Sequence, residues 1–160
     1  QSNKVKYITP FVHLIHGVDS AKLLKEIGRQ AGKNRRTIDV LLQVHIAREE
    51  TKFGFDADEL GEVMEMARMG GGEGLRVRGL MGMASFVADT QPERVREEFR
   101  VLKGLFDKYF PADRSSGVGR DGQKDDPYLL SMGMSGDYKI ALEEGSNMVR
   151  IGSLLFGARG

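Results

Sequence analysis

The stretch Ile38-Asp39-Val40-Leu41-Leu42-Gln43-Val44-His45-Ile46 is almost continuously apolar. A strand with one face in water alternates apolar and polar residues. An unbroken apolar run marks a strand covered on both faces, as in a parallel sheet. The segments on either side support that reading. Upstream, His13–Val18 is a second strand candidate, followed by Asp19 and Ser20 as helix N-caps. Leu23, Leu24, Ile27 and Ala31 then share one helical face, and Gly32 is expected to stop that helix. Downstream, Asp56 opens a helix with Leu60, Val63, Met64 and Ala67 at helical spacing, and Gly70–Gly74 ends it.

The alternation continues. Leu75–Met83 reads as a strand. Thr90 and Glu93 are spaced as a capping box around Pro92. The helix that follows repeats Val95, Phe99, Leu102 and Phe106, and Pro111 stops it. Residues 112–127 are polar and rich in Gly, Ser and Asp, and are expected to form one long mobile loop. Leu129–Met132 is a short strand, Gly136–Glu144 a short helix, and Met148–Ile151 a fifth strand. Strands separated by helix-length crossovers give an α/β fold with a parallel sheet. Both an open doubly wound sheet and part of a (β/α)8 barrel fit. A barrel takes roughly 250 residues, so five units at about 32 residues each would be five-eighths of one.

Composition narrows the function classes. A 40% hydrophobic, 29% charged chain is neither disordered nor low-complexity. Its 24 basic and 23 acidic residues leave a net charge of +1, without the basic excess usual in nucleic-acid binders. There is no Cys, which excludes disulfides, Cys-zinc sites and thiol nucleophiles. No apolar run of membrane-spanning length and no secretory leader is visible, so a cytoplasmic protein is expected. The first residue is Gln1, which is read as the sign of an upstream segment.

In either architecture, function belongs at the carboxyl ends of the strands. Two such ends carry small residues and hydroxyls: Ser131-Met132-Gly133-Met134-Ser135-Gly136-Asp137 and Arg150-Ile151-Gly152-Ser153. Small residues let backbone N–H groups approach an anion closely, although Gly and Ser also serve ordinary turns. Arg150 lies in the apolar run MVRIG and needs an acceptor there. Either it pairs with a carboxylate such as Asp19 or Asp39, or it meets a ligand's ring nitrogen or phosphate. His13, His16 and His45 have no metal-ligand spacing on one element. Met81, Met83, Met132 and Met134 read as core fillers, and Lys33-Asn34-Arg35-Arg36 as a solvated loop.

The segment 130–159, LSMGMSGDYKIALEEGSNMVRIGSLLFGAR, resembles the C-terminal signature of the YggS/PROSC family of pyridoxal-phosphate-binding proteins. QSNKVKYI at the start resembles that family's LQxNKxKxI. Lys52-Phe53-Gly54-Phe55 resembles its KxGF, and Leu80-Met81-Gly82-Met83 its GLMxM strand. The resemblance implies a (β/α)8 barrel like the N-terminal domain of alanine racemase, with residues 1–160 as the C-terminal portion of that single domain. The family's Schiff-base Lys lies upstream of the matched segments, with about three β/α units, and Lys4, Lys6 and Lys52 do not match its motif.

Carried over, Ser131, Gly152 and Ser153 match phosphate-binding positions and are expected to converge. Arg150 matches the residue at the pyridine nitrogen. An Arg there disfavours ring protonation and weakens carbanion chemistry. The resemblance therefore implies a pyridoxal 5′-phosphate (PLP) carrier in vitamin B6 homeostasis without robust catalysis. The alternative is a PLP-dependent amino-acid racemase of low activity. It also implies that a separate N-terminal segment, or a neighbouring chain, covers the open sheet edges.

Overall fold

The computed structural model describes residues 1–48, 53–68, 74–111 and 127–157. They fall into two compact units. The first holds the described residues of 1–45 and 52–81, the second those of 46–51 and 82–160.

The first unit opens with α1 (Ser2–Ile8), then β1 (Leu14–Val18), α2 (Ala21–Lys33), β2 (Ile38–Val44), α3 (Ala57–Arg68) and β3 (Leu75–Gly82), whose last residue belongs to the second unit. β1 pairs parallel with β2, Leu14 standing opposite Asp39 and Val18 opposite Leu42. All seven residues of β2 are buried, as its apolar run requires. Ser20 caps α2 by accepting from the Leu23 N–H at 3.4 Å. Asp56 accepts from the N–H groups of Asp58 and Glu59, and the Glu59 carboxylate accepts in return from the Asp56 N–H, a reciprocal cap for α3.

Two local expectations are corrected here. Gly32 does not stop α2, which runs to Lys33 and ends through Asn34 and a left-handed Arg35. The 33–36 segment is not simply a solvated loop: Arg36 donates to the carbonyls of Thr9 and Val12 at 2.6 and 2.8 Å, pinning the end of α1. The buried Asp39 is held by Arg76 at 2.7 and 3.0 Å and by Arg78 at 3.4 Å. These charges sit near the amino ends of β2 and β3, where barrel folds keep stability rather than chemistry.

The second unit contains α4 (Pro92–Tyr109), β4 (Leu129–Met134), α5 (Tyr138–Glu143), β5 (Met148–Arg150) and α6 (Ser153–Phe156). The capping box expected of Thr90 and Glu93 does not form. Gln91 occupies the cap without a side-chain bond, and the Thr90 hydroxyl donates to the Val87 carbonyl instead. Val95, Phe99 and Leu102 are buried, while Phe106 stacks on the buried Phe110. β4 pairs parallel with β5. Ser146 and Asn147 reinforce the pair: the Ser146 hydroxyl lies 2.8 Å from the Met132 carbonyl, and Asn147 accepts from the Leu130 N–H at 2.8 Å.

The strands end within two residues of their expected ends. β4 differs in a way that matters, because it runs to Met134 rather than Met132. Gly133 makes the extension feasible. Its φ of +96° and a Cβ that would come 2.6 Å from the Ala141 Cβ exclude any side chain. Gly133→Ala is expected to cost about 2–4 kcal/mol, combining backbone strain with overpacking, as measured by urea unfolding. The 112–127 loop, apart from Pro127, and the 70–74 glycine stop, apart from Gly74, lie outside the described residues.

Candidate functional site

The carboxyl ends of β4 and β5 bring together the residues that the sequence singles out, with one exchange. Because β4 extends to Met134, Ser131 lies inside the strand, fully buried and level with Met148. Ser131 has no hydrogen bond to Gly152 or Ser153; its hydroxyl accepts from Arg150 instead, and the place next to the Gly152 amide goes to another serine. Ser135, the first residue beyond β4, takes that place. Its Oγ accepts from the N–H of Gly152 at 3.2 Å and of Leu154 at 3.3 Å. Two backbone amides at the start of α6 thus converge on one hydroxyl oxygen, and the Ser135 O–H remains able to donate outward. Gly152 and Ser153 are exposed, and a Cβ at Gly152 would meet nothing within 4 Å.

Ser131 acts on Arg150. The Arg150 Nη1 donates to the Ser131 hydroxyl at 2.7 Å and its carbonyl at 3.0 Å, and Nη2 donates to the Gly82 carbonyl at 3.0 Å. All three acceptors are uncharged. No described carboxylate forms an ion pair with Arg150, so neither the Asp19 nor the Asp39 pairing occurs. Burial lowers its pKa from the ordinary value, and the charge of Asp137 works against that shift. The guanidinium stays charged regardless. Among the described residues its Nε–H and one Nη2 hydrogen meet no acceptor. A half-buried cation with neutral partners and spare donors is a receptor for an anion or a strong acceptor.

Glu98, which the sequence reading passes over, organises the neighbouring loop. It is 3% exposed. Its carboxylate accepts from the Ser85 N–H at 2.6 Å, the Ser85 hydroxyl at 2.7 Å, the Arg48 N–H at 3.2 Å and Arg94 Nε at 3.4 Å. Burial alone would raise its pKa. The hydrogen bonds from Ser85, Arg48 and Arg94 outweigh burial, and the net direction is downward. Its signal was present in the sequence: Glu98 shares a helix face with Val95, Phe99 and Leu102. His13 and His16 are exposed, and no described group of three His, Asp or Glu residues could hold a metal ion. No helix among the described residues is long and apolar enough to cross a membrane.

The strand–helix order and the cluster at the strand ends define a protein of the alanine racemase N-terminal domain family; the chain belongs to it, with the match running over residues 3–160. Within that family the likeness to the YggS/PROSC group holds. The chain is 40% identical over 159 residues to a pyridoxal phosphate homeostasis protein of Aquifex aeolicus, covering 99% of this chain and 64% of the relative. It matches the structure of PipY of Synechococcus elongatus with PLP bound at a TM-score of 0.69 and 28% identity, over 98% of this chain and 66% of that one. An alanine racemase of Streptomyces lavendulae matches at a TM-score of 0.68 and 16% identity, over 97% of this chain and 37% of that one, which shows the fold alone. The chain thus has the α/β barrel-type fold of this family in five β/α units. It spans a little under two thirds of the curated relatives it matches.

Proposed function

We propose that this chain binds pyridoxal 5′-phosphate and serves vitamin B6 homeostasis without robust catalysis of its own. One observation carries the reading: Arg150, half-buried and held among the described residues by neutral acceptors, lies two residues before Gly152, whose amide donates to Ser135. This donor set fits a ligand that bears a phosphate and a ring nitrogen. The cofactor, when bound, supplies an aldehyde toward amines and an electron-accepting ring. The chain's own residues supply the rest. Ser153 faces a phosphate, and Ser135, whose Oγ accepts from the Gly152 amide, donates its hydroxyl hydrogen to it. Ser131 belongs to the binding set by holding the Arg150 fork in place. Arg150 has no acceptor to offer, so a ring nitrogen facing it is kept unprotonated. That restrains carbanion chemistry and favours carriage over turnover.

The PLP-bound relative and the homeostasis proteins support this reading. In the same reading residues 1–160 are a portion of one barrel domain, cytoplasmic. The remainder that the relatives carry, or a neighbouring chain, covers the open sheet edges of the barrel. The test compares PLP with pyridoxal, which lacks the phosphate. Ser153→Asp is expected to weaken PLP binding roughly tenfold or more through like-charge repulsion, and to leave pyridoxal binding unchanged in a fluorescence titration. Equal losses for both ligands, or none for either, would remove the phosphate assignment.

A further inference from the structure

A pocket of about 160 Å³ opens in the second unit between the 85–90 segment and the turn after β4. Phe86, Val87, Ala88 and Met134 supply apolar wall, and Asp137 lies against it. Asp137 is only 9% exposed. Its Oδ1 accepts from the Met134 N–H at 2.6 Å. Oδ2 accepts from none of the described residues. Yet no fully buried side-chain oxygen among them lacks a partner. Oδ2 therefore keeps some exposure, and Asp137 is one of the residues that line this pocket. At the mouth stands Phe86, with 87% of its surface exposed, a large apolar ring that nothing described covers.

The arrangement has a definite chemical complement. The lining also carries Ser85, Asp89 and Thr90, and a carboxylate oxygen that accepts from none of the described residues calls for a cation or a strong donor. An exposed ring in the same lining favours a cation as well. The volume matches an engineered cavity of ~150 Å³ that holds benzene. We propose that this pocket is a binding site for a small primary ammonium with a benzene-sized apolar body. The ammonium donates to Asp137 Oδ2, and the body lies along Val87, Ala88 and Met134 under Phe86. None of Arg150, Gly152 and Ser153 lines it, but Met134, Gly136 and Asp137 flank Ser135 and the charge of Asp137 acts on Arg150, so the test is run without PLP.

The probe is benzylammonium, with benzyl alcohol as the uncharged counterpart, titrated into the isotopically labelled 160-residue chain without PLP. Benzylammonium is expected to shift the backbone resonances of Val87, Thr90 and Gly136, with benzyl alcohol binding at least tenfold more weakly. Asp137→Asn keeps the Oδ1 acceptor for Met134 and is expected to weaken benzylammonium about tenfold without changing benzyl alcohol. Ala88→Phe fills the pocket and is expected to abolish both. The proposal is overturned if benzylammonium causes no saturable shifts, if the shifts map elsewhere, or if the alcohol binds as well as the ammonium. Unchanged binding in Asp137→Asn would overturn the assignment of the cation to that carboxylate.

Discussion

Glu98→Ala is expected to lower stability by about 3–5 kcal/mol, the range for uncompensated buried charge networks. The substitution leaves the Ser85 N–H and hydroxyl and the Arg48 N–H without their acceptor, and removes one of the two partners of Arg94, the other being the Ser85 hydroxyl. It also empties volume on the face of α4 that carries Phe99 and Leu102, both fully buried. Glu98→Gln should cost less, because one oxygen still accepts, but its NH2 would face donors. The pH dependence follows from the downward direction of the folded-state pKa. An unfolded Glu titrates near ~4.3. The stabilisation is fully present above that value and is lost as pH falls through the lower, folded pKa. Urea unfolding from pH 7 down to pH 3 should therefore show a steeper acid decline for the native sequence than for Glu98→Gln. Parallel declines, or a loss under about 1 kcal/mol in Glu98→Ala, would show that the carboxylate does not organise the loop.

Arg150→Leu is expected to abolish measurable PLP retention, a fall of roughly a hundredfold for a charged hydrogen-bonding group. It should also destabilise the chain by about 3 kcal/mol, because the buried Ser131 hydroxyl and the Ser131 and Gly82 carbonyls lose their donor. Arg150→Lys separates the two effects. It restores charge but not the planar fork, so it reaches Ser131 or Gly82 but not both with one geometry. Partial recovery of PLP binding in Lys, with stability between the other two, is the expected pattern in paired fluorescence and unfolding measurements. Full PLP binding by a stable, folded Leu variant would remove Arg150 from the site.

Much of the fold could be read along the chain because the physics there is local. The almost continuously apolar run of β2 required burial on both faces, and all seven residues, Asp39 and Gln43 included, are buried. Ser20 and Asp56 cap the helices that they precede, because a cap needs only donors two or three residues ahead. The local readings failed where one residue had equivalent local choices. Thr90 could have capped α4 but bonds back to Val87, and Gly32 could have ended α2 but stays inside it. Glu98 was missed because apolar periodicity counts only apolar residues, while the buried face of α4 includes a carboxylate.

The site divides along the same line. Residue chemistry marked Arg150, Gly152 and Ser153 as anion-binding types at a strand end, since a cation within an apolar run demands an acceptor wherever it folds. It could not say which Ser would stand beside Gly152. That depended on two more residues of β4 and on the parallel register that sets Met134, not Ser131, opposite Arg150. Nor could it name the partners of Arg150, because Ser131 and Gly82 are 19 and 68 residues away in sequence. Caps and strand burial follow from neighbours along the chain, whereas the charge environment of Arg150 and Glu98 exists only once distant strands and loops have been brought within hydrogen-bond length.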